Sequence, residues 1–230
     1  DIYANELRTS CAELGMDISD AVYTELPTST YLYITDETGE MQLAVCDADV
    51  ADSIDETYLR SKLEVLNQAA LVIFDGNLTE GSVQFLSENV TAPLFADPVS
   101  SKKAQRLRGV LPKLHTFKPN DIEAMHLTET ETPEDAARAL VAMGMKRVFV
   151  SCGGNGIIAA EGEQMIHLPC EKTEIVNTTG GGDASMAALA WSFTQGLSLE
   201  QSARAALKAG AIAVSAEETI APDMAPERLL

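Results

Sequence analysis

Positive charge is scarce in this sequence. Sixteen Lys and Arg stand against thirty-five Asp and Glu, a formal net charge of −19 at neutral pH with a pI near 4.4. Such a surface repels phosphate backbones and anionic lipid, which argues against nucleic acid and membranes as partners. A small polyanion is not excluded, because the N–H groups of a helix N-terminus neutralise one locally, with help from a metal ion. Cysteine is scarce too: Cys11, Cys46, Cys152 and Cys170 lie far apart with no C-x-x-C spacing. This excludes a disulfide scaffold and is the usage expected of reduced, partly buried thiols in a cytoplasmic protein. No apolar run reaches the roughly 18 residues of a membrane-spanning helix, and no signal-type run opens the chain. Aromatics are only 5%, yet 46% of the residues are hydrophobic and 22% charged, an ordinary globular composition that excludes disorder and collagen-like repeats. A chain of 230 residues is long enough to bury a sizeable core.

What is present divides into two textures. From about Val22 to Asp49 the pattern is β-like: Thr28 to Thr35 is rich in β-branched and aromatic residues, Asp36-Glu37-Thr38-Gly39 reads as a turn, and Met41 to Val45 alternates again. This predicts a β-hairpin, too short to be stable unless it packs on something else. From Asp55 onward, helix and strand signals alternate. Asp55 to Asn67 has helical spacing, and Leu71-Val72-Ile73-Phe74 is the continuous apolar run of a strand buried on both faces. A helix follows Thr79, strands are predicted at Pro93–Ala96, Leu114–Phe117 and Arg147–Val150, and Thr132-Pro133 opens a helix that Gly144 closes. Ser198-Leu199-Glu200-Gln201 is a capping box for a long Ala-rich helix to about Ser215. This alternation predicts parallel strands with helices on both faces.

In such a sheet the site lies beyond the carboxyl ends of the strands. Those ends read Asp75-Gly76-Asn77, Asp97-Pro98, Lys118-Pro119-Asn120 and Ser151-Cys152-Gly153-Gly154. Asn77 and Asp97 are therefore candidate substrate-binding residues, although Asp97 before Pro98 could merely start a turn. His115, His126 and His167 share no metal-ligand spacing and are expected to be structural.

The sharpest feature is Asn177-Thr178-Thr179-Gly180-Gly181-Gly182-Asp183, which runs straight into the helical pattern Ala184–Trp191. Glycines opening a helix put free backbone N–H groups at its positive end, an anion hole. Asp183 at its mouth is either a helix cap or a general base beside a transferring phosphate; spacing alone leaves both open. The run is not a P-loop, and the chain lacks a convincing G-x-G-x-x-G dinucleotide fingerprint.

The run resembles, closely, the second signature of the ribokinase-like (PfkB) carbohydrate and nucleoside kinases, and the resemblance extends over nearly the whole chain. Lys118-Pro119-Asn120-Asp121-Ile122-Glu123 is similar to the family's N-x-x-E motif, Ser151-Cys152-Gly153-Gly154-Asn155-Gly156 to its nucleotide-binding strand end, and Val22–Asp49 to its β lid. Within the family, Thr28–Leu32, Thr38–Met41, Ala96–Ser100 and His115–Asn120 most resemble bacterial pseudouridine kinases. Asn177 stands where the family usually has Asp, and Gly181 where it has Ala; neither change removes the base or a backbone donor. The family's N-terminal part, with its first strand and G-G-x-x-x-N motif, has no counterpart, so the chain is expected to be a fragment or the ordered part of a longer protein.

The resemblance implies a three-layer α/β fold with a mainly parallel central sheet: residues 1–21 and 50–230 as the nucleotide-binding core, 22–49 as the lid. It implies ATP-dependent phosphorylation of a hydroxymethyl group on a nucleoside or sugar, pseudouridine first. Alternatives are another sugar kinase of the ribokinase or fructokinase type, or a non-catalytic nucleotide-binding relative. Asp183 with Gly180, Gly181 and Gly182 would carry catalysis. Asn120, Ser151, Gly153, Gly154, Gly156, Thr179, Gly180 and Gly182 would hold ATP; Thr30, Asn77, Asp97 and Asp183 the acceptor; Asn120 and Glu123 Mg²⁺, mainly through its waters. The small residues of Ala203–Ala216 could pack as a helix or form a wall for an adenine ring. K⁺ is a further candidate cation, and a homodimer through the lid a candidate assembly.

Overall fold

The computed structural model describes residues 1–35, 41–170 and 172–229. The turn read at Asp36–Gly39 lies outside these. Helix α1 (Ile2–Glu13) is N-capped by Asp1, and none of its residues is buried. Asp1 ties it to the base of the hairpin, accepting from the Thr28 N–H and hydroxyl at 2.8 Å each. Strands β1 (Thr30–Thr35) and β2 (Met41–Asp47) pair antiparallel, as their alternation predicts. The stretch read as one helix is two, α2 (Glu56–Ser61) and α3 (Leu63–Gln68), because Lys62 leaves helical geometry (φ −105°, ψ 4°) and its ammonium reaches Asp20 at 2.7 Å.

The core then alternates: β3 (Val72–Asp75), α4 (Glu80–Asn89), β4 (Leu94–Asp97), α5 (Ser101–Leu107), β5 (Thr116–Phe117), α6 (Asp121–Thr128), α7 (Pro133–Ala142), β6 (Arg147–Ser151), β7 (Ile157–Glu161), β8 (Gln164–Leu168), α8 (Gly181–Thr194) and α9 (Leu199–Val214). Side-chain oxygens of Thr79, Ser100, Asn120, Thr132 and Ser198 accept from backbone N–H groups in the first turns of α4, α5, α6, α7 and α9. The sheet runs in the order β3-β4-β5-β6-β7-β8. Its first four strands are parallel, while β6–β7 and β7–β8 are antiparallel. The sheet is thus mainly parallel, as expected, with its antiparallel pairs confined to one side. Short segments of five residues (152–156) and two residues (162–163), not crossover helices, join β6, β7 and β8, and only antiparallel strands accept such short connections.

Successive strand residues point to opposite faces. Val72, Phe74, Leu94, Ala96, Phe117, Val148, Val150, Ile158 and Ala160 pack in a core with Leu59, Leu86, Leu107, Leu127 and Leu140 of the helices. Phe95, Phe149, Ile157 and Ala159 face the other way, against Met186 and Leu189 of α8 and Leu199, Ala203 and Ala206 of α9. Both faces are covered, which makes three layers. The cover ends at β3: Ile73, level with Phe95 on the same face, remains 46% exposed. His115 sits at the amino end of β5, stacked on Phe95 at 5.4 Å and edge-on to Phe193 at 4.7 Å. Burial, then the charges of Lys146 and Arg147, pushes its pKa down to about 4, so it is a neutral packing residue.

Candidate active site

The topology brings four strand ends side by side. Asp75 closes β3, Asp97 closes β4, Lys118 follows β5 and Ser151 closes β6. A parallel bridge joins Ser151 to Asn120, with the Ser151 N–H donating to Pro119 O at 3.0 Å. Over this row stands the N-terminus of α8.

Its start depends on glycine for two separate reasons. Gly180, the N-cap, has φ +88°, and a Cβ there would lie 2.6 Å from the Thr219 carbonyl oxygen. A Cβ on Gly181 would fall 2.9 Å from Val214 Cγ1. The first helical bond is Ala184 N–H to Gly180 O at 2.9 Å, and the cap accepts no hydrogen bond through a side chain. Among the described residues, no acceptor takes the N–H groups of Gly181, Gly182 or Asp183. These are the orphan donors of a helix start, and the helix dipole adds to their positive potential. Asn177 shapes the approach by accepting from Thr179 N–H at 2.9 Å, so Asn serves here where the family usually has Asp.

Asp183 projects from the first turn and lines an open groove of about 540 Å³ together with Asp75, Asp97, Ile73, Met186 and Ala187. Its carboxyl reaches solvent, yet the surrounding protein raises its pKa. Burial is the largest cause, followed by the negative charge of Asp97, with Lys118 opposing and Asp75 adding. A carboxylate raised in this way is a stronger base than a free one.

Asn120 and Glu123 form a closed capping box. Glu123 N–H donates to Asn120 Oδ1, and Asn120 N–H to Glu123 Oε2, both at 2.8 Å. Glu123 is only 7% exposed, and burial first, with the Asp97 charge adding, raises its pKa. Among the described residues no group of three His, Cys, Asp or Glu could hold a metal ion directly. Mutually repelling oxygen donors fit a hard divalent cation that keeps its waters, not a dehydrated cage.

The other sequence candidates divide. Thr179 is at the site, and its hydroxyl donates to the Tyr33 phenol oxygen of β1 at 3.2 Å. Asp97 has both oxygens engaged, Oδ1 by Val99 N–H at 2.8 Å and Oδ2 by the Lys118 ammonium at 2.8 Å. Asn77 is held by Asp75 at 2.8 Å and by Lys103. Gly153, Gly154 and Gly156 form the turn from β6 to β7, closed by Cys152 N–H to Gly156 O at 2.8 Å. The Thr30 hydroxyl donates to Thr28 O at 3.3 Å, and no described contact joins it to the strand ends. The alanines of α9 are mostly buried against α8 and β7, which favours their helix-packing reading. Tyr33 and Thr219 carried no signal in the sequence; Asp75 did, at its strand end.

Free N–H donors at a helix start beside a carboxylate are an arrangement suited to an α/β phosphotransfer enzyme, which must hold an anion close to a base. Residues 1–226 match the family model described as pfkB family carbohydrate kinase, and the chain belongs to that family of phosphotransferases. It is 33% identical, over 97% of its length, to the pseudouridine kinase of Escherichia coli K12, and spans 74% of that protein. A ribokinase from Thermotoga maritima superposes with a TM-score of 0.88 at 20% identity, over all of this chain and 76% of the other. An Escherichia coli structure ascribed to a ribokinase II, in complex with ATP and Mg²⁺, gives 0.83 at 18% identity over 95% and 75%. At those identities the two structures speak for the ribokinase-like fold. Among the described residues, no helix is long and apolar enough to cross a membrane.

Proposed function

We propose that the protein transfers the γ-phosphoryl group of ATP to the hydroxymethyl group of a nucleoside, pseudouridine being the first candidate. The observation that carries the reading is the α8 N-terminus, where three N–H groups have no acceptor among the described residues, beside a carboxylate of raised pKa. The choice of pseudouridine is supported by the 33% identity to a pseudouridine kinase.

In this reading the N–H groups of Gly181, Gly182 and Asp183 orient the phosphoryl group and stabilise the charge spread over its oxygens. The acceptor lies in the groove toward Asp75. Asp183 takes the hydroxyl proton as that oxygen bonds to phosphorus and the bond to the ADP oxygen breaks. Mg²⁺, when bound, would neutralise phosphate charge, and Asn120 and Glu123 would hold its waters. The turn Ser151–Gly156, one bridge from Asn120, lies on the nucleotide side. The lid exposes a stripe of two cross-strand pairs, Leu32 with Val45 and Ile34 with Leu43, which supports a homodimer that sedimentation would reveal.

The test is product formation from ATP with a panel of nucleosides and sugars. Phosphorylated pseudouridine is expected. Turnover of a free sugar alone would move the assignment to a sugar kinase, and nucleotide binding without transfer to any acceptor would overturn it.

A further inference from the structure

Lys118 has no role in the reaction as set out above, yet it is the most constrained charge at the site. It is 4% exposed, its backbone N–H is fixed by Ala96 O at 3.1 Å, and its ammonium lies 2.8 Å from Asp97 Oδ2. Asp97 is the partner found for the ammonium among the described residues. Burying an ammonium is expensive even when it is paired, and an apolar side chain of similar length would fill the space at lower cost. Its position suggests what the charge is for. Lys118 Nζ is the heavy atom nearest to where a Cβ on Gly182 would lie, at 3.6 Å. The ammonium therefore stands beside the first turn of α8, among the orphan N–H groups. Its charge acts on the carboxylates of Asp183 and Glu123 as well as on Asp97, and Asp75 lies beside Asp183, in a chain of net charge −19. The N–H groups and helix dipole alone would have to draw a polyphosphate into that acidic row.

Resting on the kinase reading above, we infer that Lys118 is the fixed counter-charge of the phosphate site. It is a positioning residue, anchored by Asp97, that keeps the α8 N-terminus positive enough to accept a nucleotide's terminal phosphates. Asp97 is then the anchor of this cation more than a contact to the acceptor, which agrees with the engagement of both its oxygens.

The experiment compares wild type, Lys118→Met, and the double variant Lys118→Met/Asp97→Asn, each for melting temperature and for ADP affinity by calorimetry. The single variant leaves Asp97 without its ion partner and is expected to melt lower. The double variant removes both charges and is expected to recover most of the melting temperature. ADP affinity should fall by roughly tenfold or more in both, a fixed charge close to a phosphate being worth at least that. Recovery of wild-type ADP affinity in the double variant would overturn the inference and leave the pair a structural salt bridge. Unchanged affinity in the single variant would overturn it too. Failure of the wild type to bind ADP would instead count against the kinase reading itself.

Discussion

Glu123 and Asn120 hold each other through two reciprocal hydrogen bonds of 2.8 Å across the first turn of α6. The N-x-x-E motif is thus a helix start as well as a candidate metal site, and one substitution separates the two roles. Gln at the same position also closes a capping box. Glu123→Gln should therefore leave the melting temperature nearly unchanged while raising the Mg²⁺ concentration for half-maximal rate by about 10–100-fold. Glu123→Ala should lose the box as well, at a cost of about 1 kcal/mol. A Mg²⁺ titration of the Gln variant that overlays wild type would make Glu123 a cap and nothing more.

Asp183→Asn should lower kcat by roughly 10²–10⁴ while ATP affinity stays within a few-fold. The helix is capped by Gly180 without a side-chain bond, so no cap is lost. The same variant has a distinct pH signature. The folded-state pKa of Asp183 is raised, so the native state binds a proton more readily than the unfolded chain does. Its ionisation destabilises the fold above the folded-state pKa, and that penalty disappears as pH falls below the ordinary Asp value. Asp183→Asn is expected to melt higher than wild type at neutral pH, with the gain shrinking in acid. In wild type, the acid limb of kcat/KM should lie above the usual carboxylate range. An Asn variant with wild-type turnover would remove the base assignment.

Two glycines of the β6–β7 turn should part company. A Cβ on Gly156, at φ +99°, would lie 1.9 Å from the Leu168 carbonyl oxygen. Gly156→Ala should cost several kcal/mol, because the position combines left-handed backbone with a clash against β8. Gly154 has nothing within 4 Å of its missing Cβ. Gly154→Ala should fold like wild type, so a change in its nucleotide affinity would report the binding role directly. Thermal melts and calorimetry on the pair distinguish framework from contact.

The β1–β2 hairpin is tied to the glycine turn through the hydrogen bond from Thr179 to Tyr33. Tyr33→Phe removes the acceptor and keeps the ring, so about 0.5–1.5 kcal/mol of that coupling is lost. A several-fold rise in KM for the acceptor, with a fall in melting temperature of no more than a few degrees, is the expected result.

Local chemistry made much of this molecule legible in advance. Caps at Thr79, Thr132 and Ser198 announce helices because Ser and Thr side chains satisfy orphan N–H groups whatever surrounds them. The apolar run at Leu71–Phe74 and the glycines before Asp183 are likewise signals that depend on a few neighbouring residues. The pairing of Lys118 with Asp97, the meeting of Tyr33 with Thr179 and the need for glycine at position 180 are of another kind. Each joins residues far apart in the chain, and the distances are set by sheet order and helix packing, which no local pattern encodes. The antiparallel addition of β7 and β8 follows the same division: the sequence by itself determined where strands form, through side-chain shape and alternation, while only the tertiary structure decided which way each runs, because direction depends on the length and path of the connection that returns the chain to the sheet.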